Sequence, residues 1–123
     1  MSFSKPTVIY KVIWESFYKT PMEALFKKVL GENLNKGGIY KITDLTTEKS
    51  YIGRTVNFQE RWRTHAKRGC GIDKINGLLY DEMMKKGLEN FTFEVIEVCG
   101  KDRQPAQEKY WIKYYRSDEY GFN

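Results

Sequence analysis

Two short segments of strand-forming residues, 38–43 and 50–54, constrain the fold of this chain more than any other feature, because a mostly polar segment of six residues separates them. Such a pair predicts an antiparallel β-hairpin. Each strand carries one tyrosine, Tyr40 in the order Gly-Ile-Tyr and Tyr51 in the order Tyr-Ile-Gly. Glycines beside both tyrosines indicate that another group approaches the backbone closely there. Ordinary hairpin aromatics would give the same pattern, since strands favour aromatic residues.

The size and charge of the chain limit what it can be. Its 123 residues are the length of one domain, with 41% apolar and 30% charged residues. The longest apolar stretches fall far short of the ~20 residues that cross a membrane. Lys11 and Glu15 interrupt the N-terminal segment before it could form a signal peptide. Cys70 and Cys99 lie too far apart to suggest a disulfide framework or a zinc site, so we expect a soluble cytoplasmic protein.

A basic strip is expected on the helix that follows the hairpin. Asn57 and Glu60 occupy the N-cap and N3 positions of a helix that runs to about Arg68. Its buried stripe is predicted to consist of Phe58, Trp62 and Ala66. The adjacent stripe consists of Arg61, His65 and Arg68.

Two interpretations of this strip are open. The arginines are either solvated surface charges or phosphate ligands, since a guanidinium donates two parallel hydrogen bonds to phosphate oxygens. For His65, the only histidine, the alternative to a functional role is a surface or packing role. The net charge of +5 favours a polyanionic partner such as nucleic acid. The basic residues crowded into this stretch are Arg54, Arg61, Arg63, Lys67 and Arg68.

The remaining segments complete an α+β pattern. Residues 91–98 alternate in polarity and predict a third strand, and a last helix is expected from about Pro105. Residues 74–86 predict a helix whose apolar positions are Ile75, Leu78, Leu79 and Met83. Ahead of the hairpin, residues 7–14 predict a strand, and Thr20 with Pro21 is typical of a helix start.

Glu108 on the last predicted helix lacks a local partner. No basic residue lies three or four positions away, and Glu108 shares a helix face with Trp111 and Ile112. Carboxylates are rarely buried without a partner or a metal ion. Glu108 is therefore a candidate ligand for a hard cation such as Mg²⁺. An ion pair with a residue distant in the chain is the alternative.

The ordered combination of these residues resembles the GIY-YIG nuclease family, from about Lys36 to the end of the chain. The resemblance is carried by Gly38-Ile39-Tyr40, Tyr51-Ile52-Gly53-Arg54-Thr55, Asn57-Phe58, Arg61-Trp62, His65, Glu89-Asn90-Phe91, Glu108 and Gly121-Phe122-Asn123. It implies an α+β fold, with a small central three-stranded antiparallel sheet flanked by helices. Residues 36–123 would form the nuclease domain, and residues 1–35 a strand and helix extension that packs on it.

The resemblance also implies roles for individual residues. Tyr40 and Tyr51 would position or deprotonate the attacking water, and Arg61 would bind the scissile phosphate. The remaining roles fall to Glu108 as metal ligand, to His65 in proton transfer or in a hydrogen bond to a tyrosine, and to Asn123 in supporting the site or orienting the substrate. Because Glu108 is the only well-placed acid, we expect one ion of Mg²⁺ or Mn²⁺ rather than two.

These observations predict a metal-dependent endonuclease of the homing or phage type that acts on double-stranded DNA. We expect it in the cytoplasm of a bacterial or phage-infected cell, and the sequence implies no protein partner. The residues predicted to contact DNA are Arg54, Arg63, Lys67 and Arg68. A nucleic-acid-binding module that keeps the fold without the chemistry is the alternative, and a protein-interaction domain is a third possibility.

Overall fold

The predicted hairpin forms one half of a four-stranded antiparallel sheet. The computed structural model describes the backbone of residues 7–8, 19–73 and 75–123. The hairpin strands are β2 (Gly38–Asp44) and β3 (Ser50–Thr55). β4 (Phe91–Val98) pairs with the other side of β2, and β1 (Thr7–Val8) pairs with β4. The strand order is β1-β4-β2-β3, so β3 lies at an edge.

The three strands predicted for the core are confirmed, and the fourth comes from the predicted N-terminal extension. The rest of the strand expected at residues 7–14 lies outside the described residues. The helix expected next is α1 (Lys19–Leu30), which includes Thr20 rather than being capped by it. A 3₁₀ turn (Gly31–Asn33) follows. The division between extension and nuclease domain stays a prediction.

Four more helices in the described part of the chain flank the sheet or extend from it. They are α2 (Phe58–Gly69), α3 (Leu78–Lys86), α4 (Gln104–Tyr115) and the short α5 (Ser117–Tyr120), with a 3₁₀ turn (Leu88–Asn90) before β4. The predicted cap of α2 is confirmed, because the side chain of Asn57 accepts a hydrogen bond of 3.0 Å from the backbone nitrogen of Glu60. Nowhere in the described part of the chain is a helix long and apolar enough to span a membrane.

The prediction for α3 was partly wrong. The helix begins at Leu78 rather than near Lys74, and its N-cap is Gly77, whose backbone is extended. Because glycine is a poor helix former, the helix does not continue backwards through Gly77. Ile75 and Leu78 are therefore exposed, whereas the other two predicted core positions, Leu79 and Met83, are buried.

The pairing of β2 with β3 decides which residues face the main core. Tyr40 lies opposite Gly53, and Ile42 lies opposite Tyr51. Directly paired residues point to the same side of a sheet, so both tyrosines lie on the face that α2 covers. The predicted stripe of α2 packs there, and its members Phe58, Trp62 and Ala66 are fully buried. On the opposite face, α4 covers a smaller cluster made of Ile39, Ile52, Ile96, Trp111 and Ile112.

The end of the chain covers the exposed edge of β3. The backbone nitrogen of Phe122 donates to the oxygen of Ser50 at 2.9 Å. The side-chain amide of Asn123 then pairs with both backbone groups of Ile52, accepting from the nitrogen at 2.7 Å and donating to the oxygen at 2.8 Å. These bonds satisfy backbone groups that an edge strand would otherwise leave open.

Candidate active site

The predicted site residues come from elements on both faces of the sheet, and the edge strand β3 lies between them. α2 brings Arg61 and His65 to one face, on which both tyrosines also lie. α4 packs on the other face and carries Glu108 beside β3. Since β3 is the edge strand of the sheet formed by the described residues, charges from the two faces can act on one side chain there. That side chain is Tyr51.

Tyr40 lies at the closed end of the site. Its side chain is fully buried, and its hydroxyl is 2.6 Å from Nε2 of His65. The hydroxyl rests against the backbone of Gly53, where a Cβ atom would collide with it. This close approach explains the glycine in the second tripeptide. Burial, reinforced by the neighbouring Tyr51, raises the pKa of Tyr40, although Arg61 opposes the shift, so the phenol stays protonated at neutral pH.

His65 is buried between the tyrosines and α3, so the interpretation that places it on the surface is wrong. Its ring packs edge-on against Tyr40 and Tyr51, with centroids 5.5 Å and 5.7 Å away. Nδ1 lies 2.9 Å from the hydroxyl of Tyr80. Burial and the charges of two arginines of α2, Arg61 and Arg68, lower the pKa of His65 to about 3. The imidazole is therefore neutral at physiological pH. Each of its nitrogens lies within hydrogen-bonding distance of a tyrosine hydroxyl.

Tyr51 is the tyrosine that solvent can reach, because it is half-buried where Tyr40 is fully enclosed. Burial raises its pKa, the charge of Arg61 lowers it, and the nearby Tyr80 and Glu108 raise it. Arg61 lies near both Tyr40 and Tyr51 and opposes the rise in the pKa of each. The half-buried guanidinium thus acts on both tyrosines, while the carboxylate of Glu108 acts on Tyr51.

Glu108 has a cationic neighbour from the sheet. Its Oε1 lies 3.9 Å from Nε of Arg54 on β3, which is the ion pair with a distant residue that the sequence left open. The Glu108 side chain is 27% exposed and the Arg54 side chain 46%, so the pair is loose and reaches solvent. Among the described residues no three His, Cys, Asp or Glu side chains cluster to hold a metal ion. A cation at Glu108 would have to complete its coordination with water and substrate oxygens, as Mg²⁺ commonly does.

The other predicted residues lie around this centre. Asn123 clamps the backbone of β3 next to Tyr51, through its two bonds to Ile52. Lys67 and Arg68 lie in the last turn of α2 and are half-buried. Arg68 donates a hydrogen bond of 3.2 Å to the Tyr80 hydroxyl, so it already has a protein partner.

Two residues near the site were missed in the sequence. Tyr80 lies on α3, and the only signal for it was an aromatic residue adjoining the buried position Leu79. Glu97 on β4 is buried beneath α4, where its carboxylate accepts hydrogen bonds from Gln107 at 2.8 Å and Trp111 at 2.9 Å. In the sequence, Glu97 is an acidic residue of an alternating strand, and that pattern does not predict a buried side chain. Glu97 fixes the helix that carries Glu108.

Comparisons with known proteins agree with the sequence and the geometry. The family model of the GIY-YIG catalytic domain matches residues 36–121. Intron-associated endonuclease 1 of Enterobacteria phage T4 is 29% identical over 93 residues, which cover 72% of this chain and 36% of that relative. The chain thus spans about a third of the length of this curated relative.

Two solved structures of the catalytic domain of the homing endonuclease I-TevI, one of them a mutant, also match. Each covers 72% of this chain, and the matches extend over 92% and 97% of those domains. The TM-scores are 0.60 and 0.62, with sequence identities of 28% and 27%. The fold described above is therefore that of these catalytic domains.

Proposed function

This chain belongs to the GIY-YIG catalytic domain family, and from that membership and the site geometry we propose that it is an endonuclease that hydrolyses phosphodiester bonds of double-stranded DNA with one divalent cation. The observation that carries the proposal is that two opposite charges, the guanidinium of Arg61 and the carboxylate of Glu108, both act on Tyr51. Hydrolysis of a phosphodiester requires an anionic phosphate, a metal cation and a water molecule at one point. A positive and a negative side chain beside a hydroxyl group suit these three partners.

Arg61 is the proposed ligand of the scissile phosphate. Its guanidinium is half-buried and lies near Tyr40 and Tyr51, so the side chain is restricted before substrate arrives. Charge that develops on the nonbridging oxygens during hydrolysis is stabilised most by donors that need no reorganisation. A guanidinium has five N–H donors, so it can bind two phosphate oxygens and still donate to other groups.

Tyr51 is the proposed residue that orients the attacking water. It is half-buried, whereas the hydroxyl of Tyr40 is enclosed by Gly53 and His65 and supports the site from behind. Burial raises the pKa of both phenols, so neither is a ready general base at neutral pH. Positioning of water through a hydrogen bond is therefore favoured over its deprotonation by a tyrosine.

Glu108 is the proposed protein ligand of the cation. A bound Mg²⁺ or Mn²⁺ would lower the pKa of its water and neutralise charge on the phosphate. The single carboxylate suits one ion that shares its coordination with substrate. Arg54, which pairs with Glu108 at 3.9 Å, would then turn its exposed guanidinium towards the DNA backbone.

Binding to the DNA backbone is proposed to come from four basic side chains of β3 and α2. Phosphate contacts of this kind position a protein without reading bases, so we expect weak sequence selectivity from this domain. The residues proposed for these contacts are Arg54, Arg63, Lys67 and Arg68. Binding should weaken steeply as salt rises, because phosphate contacts release counterions.

Incubation of the purified protein with supercoiled plasmid tests the proposal. With Mg²⁺ we expect nicked or linear product, and with a chelator in place of Mg²⁺ we expect none. The Arg54–Glu108 ion pair supports one alternative, a silent nucleic-acid-binding module, because it occupies the carboxylate that a cation would need. That module would bind the plasmid in a salt-dependent way without cutting it at any Mg²⁺ or Mn²⁺ concentration. A protein-interaction domain would show no salt-dependent binding.

A further inference from the structure

Helix α4 carries aromatic and basic side chains that face solvent and that the proposed active site does not use. From residue 109 to residue 116 the sequence reads Lys-Tyr-Trp-Ile-Lys-Tyr-Tyr-Arg. Every exposed tyrosine in the described part of the chain lies on α4 or α5. Among them, Tyr110 is 56% exposed and Tyr114 is 63% exposed. Exposed apolar residues that are clustered rather than scattered mark an interaction surface.

The packing of α4 explains why these two rings face outwards. Trp111 and Ile112 pack on the small cluster beneath the helix, and the indole nitrogen of Trp111 donates to Glu97 at 2.9 Å. Tyr110 and Tyr114 are four residues apart, so they share one face of the helix. Because Trp111 and Ile112 occupy the side that packs on the sheet, the face with the two tyrosines is directed away from it.

The rings of α4 form one continuous aromatic platform, made of Tyr110, Trp111, Tyr114 and Tyr115. The centroids of Tyr110 and Tyr114 lie 6.4 Å apart, and their planes are inclined by 23°, so these rings are nearly parallel. Trp111 packs edge-on against both, with centroids 5.1 Å and 5.3 Å away. Tyr115 contacts Tyr114 at 4.9 Å, and Nζ of Lys41 lies 4.0 Å from the Tyr115 centroid. The exposed rings are therefore held in an ordered arrangement by their neighbours.

Two lysines alternate with the exposed tyrosines. Lys109 and Lys113 are exposed, and neither forms an ion pair with another described residue. The only acid of α4 is Glu108, which pairs with Arg54 of β3 at the sheet. The outer face of α4 thus offers uncompensated positive charge beside flat aromatic rings.

This combination fits single-stranded DNA better than a protein partner. Unpaired bases stack on aromatic side chains, and basic residues beside those rings bind the phosphates between the bases. Protein interfaces are also rich in tyrosine, but lysine is depleted there. In a duplex the bases are already stacked on one another, so a duplex would contact the lysines without stacking on the rings.

We propose that the outer face of α4 binds single-stranded DNA, with bases stacked on Tyr110 and Tyr114 and phosphates bound by Lys109 and Lys113. DNA is the expected strand, rather than RNA, because the same helix carries Glu108 of the proposed active site. That choice of strand rests on the function proposed above. The stacking surface itself does not, since it requires no cleavage.

Fluorescence anisotropy of a labelled thymidine oligomer, with a chelator present, measures this binding. Tyr114→Leu removes the ring and should weaken binding about tenfold, a loss typical of one stacked base. Tyr114→Phe keeps the ring and should bind like the wild-type protein. The matched control is Tyr120→Leu, since Tyr120 is 64% exposed but packs under Arg116 outside the platform. Wild-type affinity in Tyr114→Leu, with an unchanged melting temperature, would overturn the proposal.

Duplex DNA and salt separate stacking from charge. Tyr114→Leu should bind a duplex of the same length with wild-type affinity, and an equal loss for duplex and single strand would contradict stacking. Lys109→Gln combined with Lys113→Gln should reduce the slope of log Kd against log salt by about 1.4, because each phosphate contact on a single strand contributes about 0.7. The control pair, Lys27→Gln with Lys28→Gln on α1, should leave the slope unchanged. An unchanged slope in the α4 pair would refute the phosphate contacts.

Other occupants of this face would give different results. If sedimentation velocity shows a wild-type dimer that Tyr114→Leu dissociates, the face binds a second copy of the chain and the proposal is wrong. Tighter binding of a uridine oligomer than of the thymidine oligomer would also overturn it, in favour of RNA. If the protein does not cut plasmid but binds the thymidine oligomer through Tyr114, the proposed function fails and the binding surface is supported.

Discussion

Acidification is predicted to destabilise this protein through one buried side chain, His65. Burial beside Arg61 and Arg68 lowers its folded-state pKa from 6.5 to about 3. Between these two values the unfolded chain binds a proton that the folded protein excludes. The contribution of His65 to stability is therefore fully present above pH 6.5 and is lost as the pH falls towards 3.

The size of the effect follows from the two pKa values. At pH 5 the histidine is protonated in the unfolded chain and neutral in the folded protein, which lowers the free energy of unfolding by about 2 kcal/mol relative to pH 8. This figure holds for any folded-state pKa below about 4, because the folded protein then binds almost no proton at pH 5. Asp44 does not interfere: burial opposes its ionisation, but hydrogen bonds from Lys86 and Thr46 outweigh burial and lower its pKa.

Urea unfolding at pH 8 and pH 5 measures the effect, with the fluorescence of the three tryptophans as the signal. The control is His65→Gln, which keeps a polar side chain but cannot titrate. Over this interval the wild-type protein should lose about 2 kcal/mol more than the variant. An equal loss in both proteins would refute the reasoning, since it would mean that His65 is protonated in the folded state or is not buried.

Two further substitutions test the packing around the tyrosines and the edge of the sheet. Gly53→Ala places a Cβ atom against the Tyr40 hydroxyl and should cost about 1–3 kcal/mol in a thermal melt. The control is Gly77→Ala, where a Cβ atom meets only the Tyr80 ring at 3.5 Å. An equal loss of stability in the two variants would show that the predicted collision with Tyr40 does not destabilise the protein. Asn123→Ala removes both hydrogen bonds to the backbone of Ile52 and should lower the free energy of unfolding by about 1–2 kcal/mol, measured with urea. An unchanged urea midpoint would show that these two bonds do not stabilise the fold.

Local patterns in the sequence predicted the elements that carry the site. The alternation of the hairpin strands and the four-residue spacing of Phe58, Trp62 and Ala66 gave β2, β3 and α2 with bounds within a residue or two. These features depend on contacts within one element or across a short turn. To predict that Tyr40 packs against Gly53, the register of the hairpin must also be known, and the strand patterns alone do not define it.

The partners of the site residues could not be predicted in the same way, because they come from distant elements. His65 is bonded by Tyr80 only because α3 packs on α2, and nothing on α2 itself signals that contact. The pairing of Glu108 with Arg54 likewise depends on α4 crossing the outer face of β3. Where α3 begins was mistaken because Ile75 and Leu78 fit a helical spacing. Ile75 lies in the loop before Gly77, Leu78 is the first residue of α3, and both side chains are exposed.

The central claim is that Arg61 and Glu108 act together on a phosphodiester at Tyr51, and plasmid cleavage by single variants measures it most directly. Arg61→Ala and Glu108→Ala should each lower the rate in Mg²⁺ by about 100-fold or more, the loss typical of one preorganised electrostatic group, while melting temperatures stay near the wild-type value. The matched controls Arg103→Ala and Glu32→Ala remove the same charges at exposed positions outside the site and should cut normally. If Arg61→Ala or Glu108→Ala nicks the plasmid at the wild-type rate, the site is not the one described.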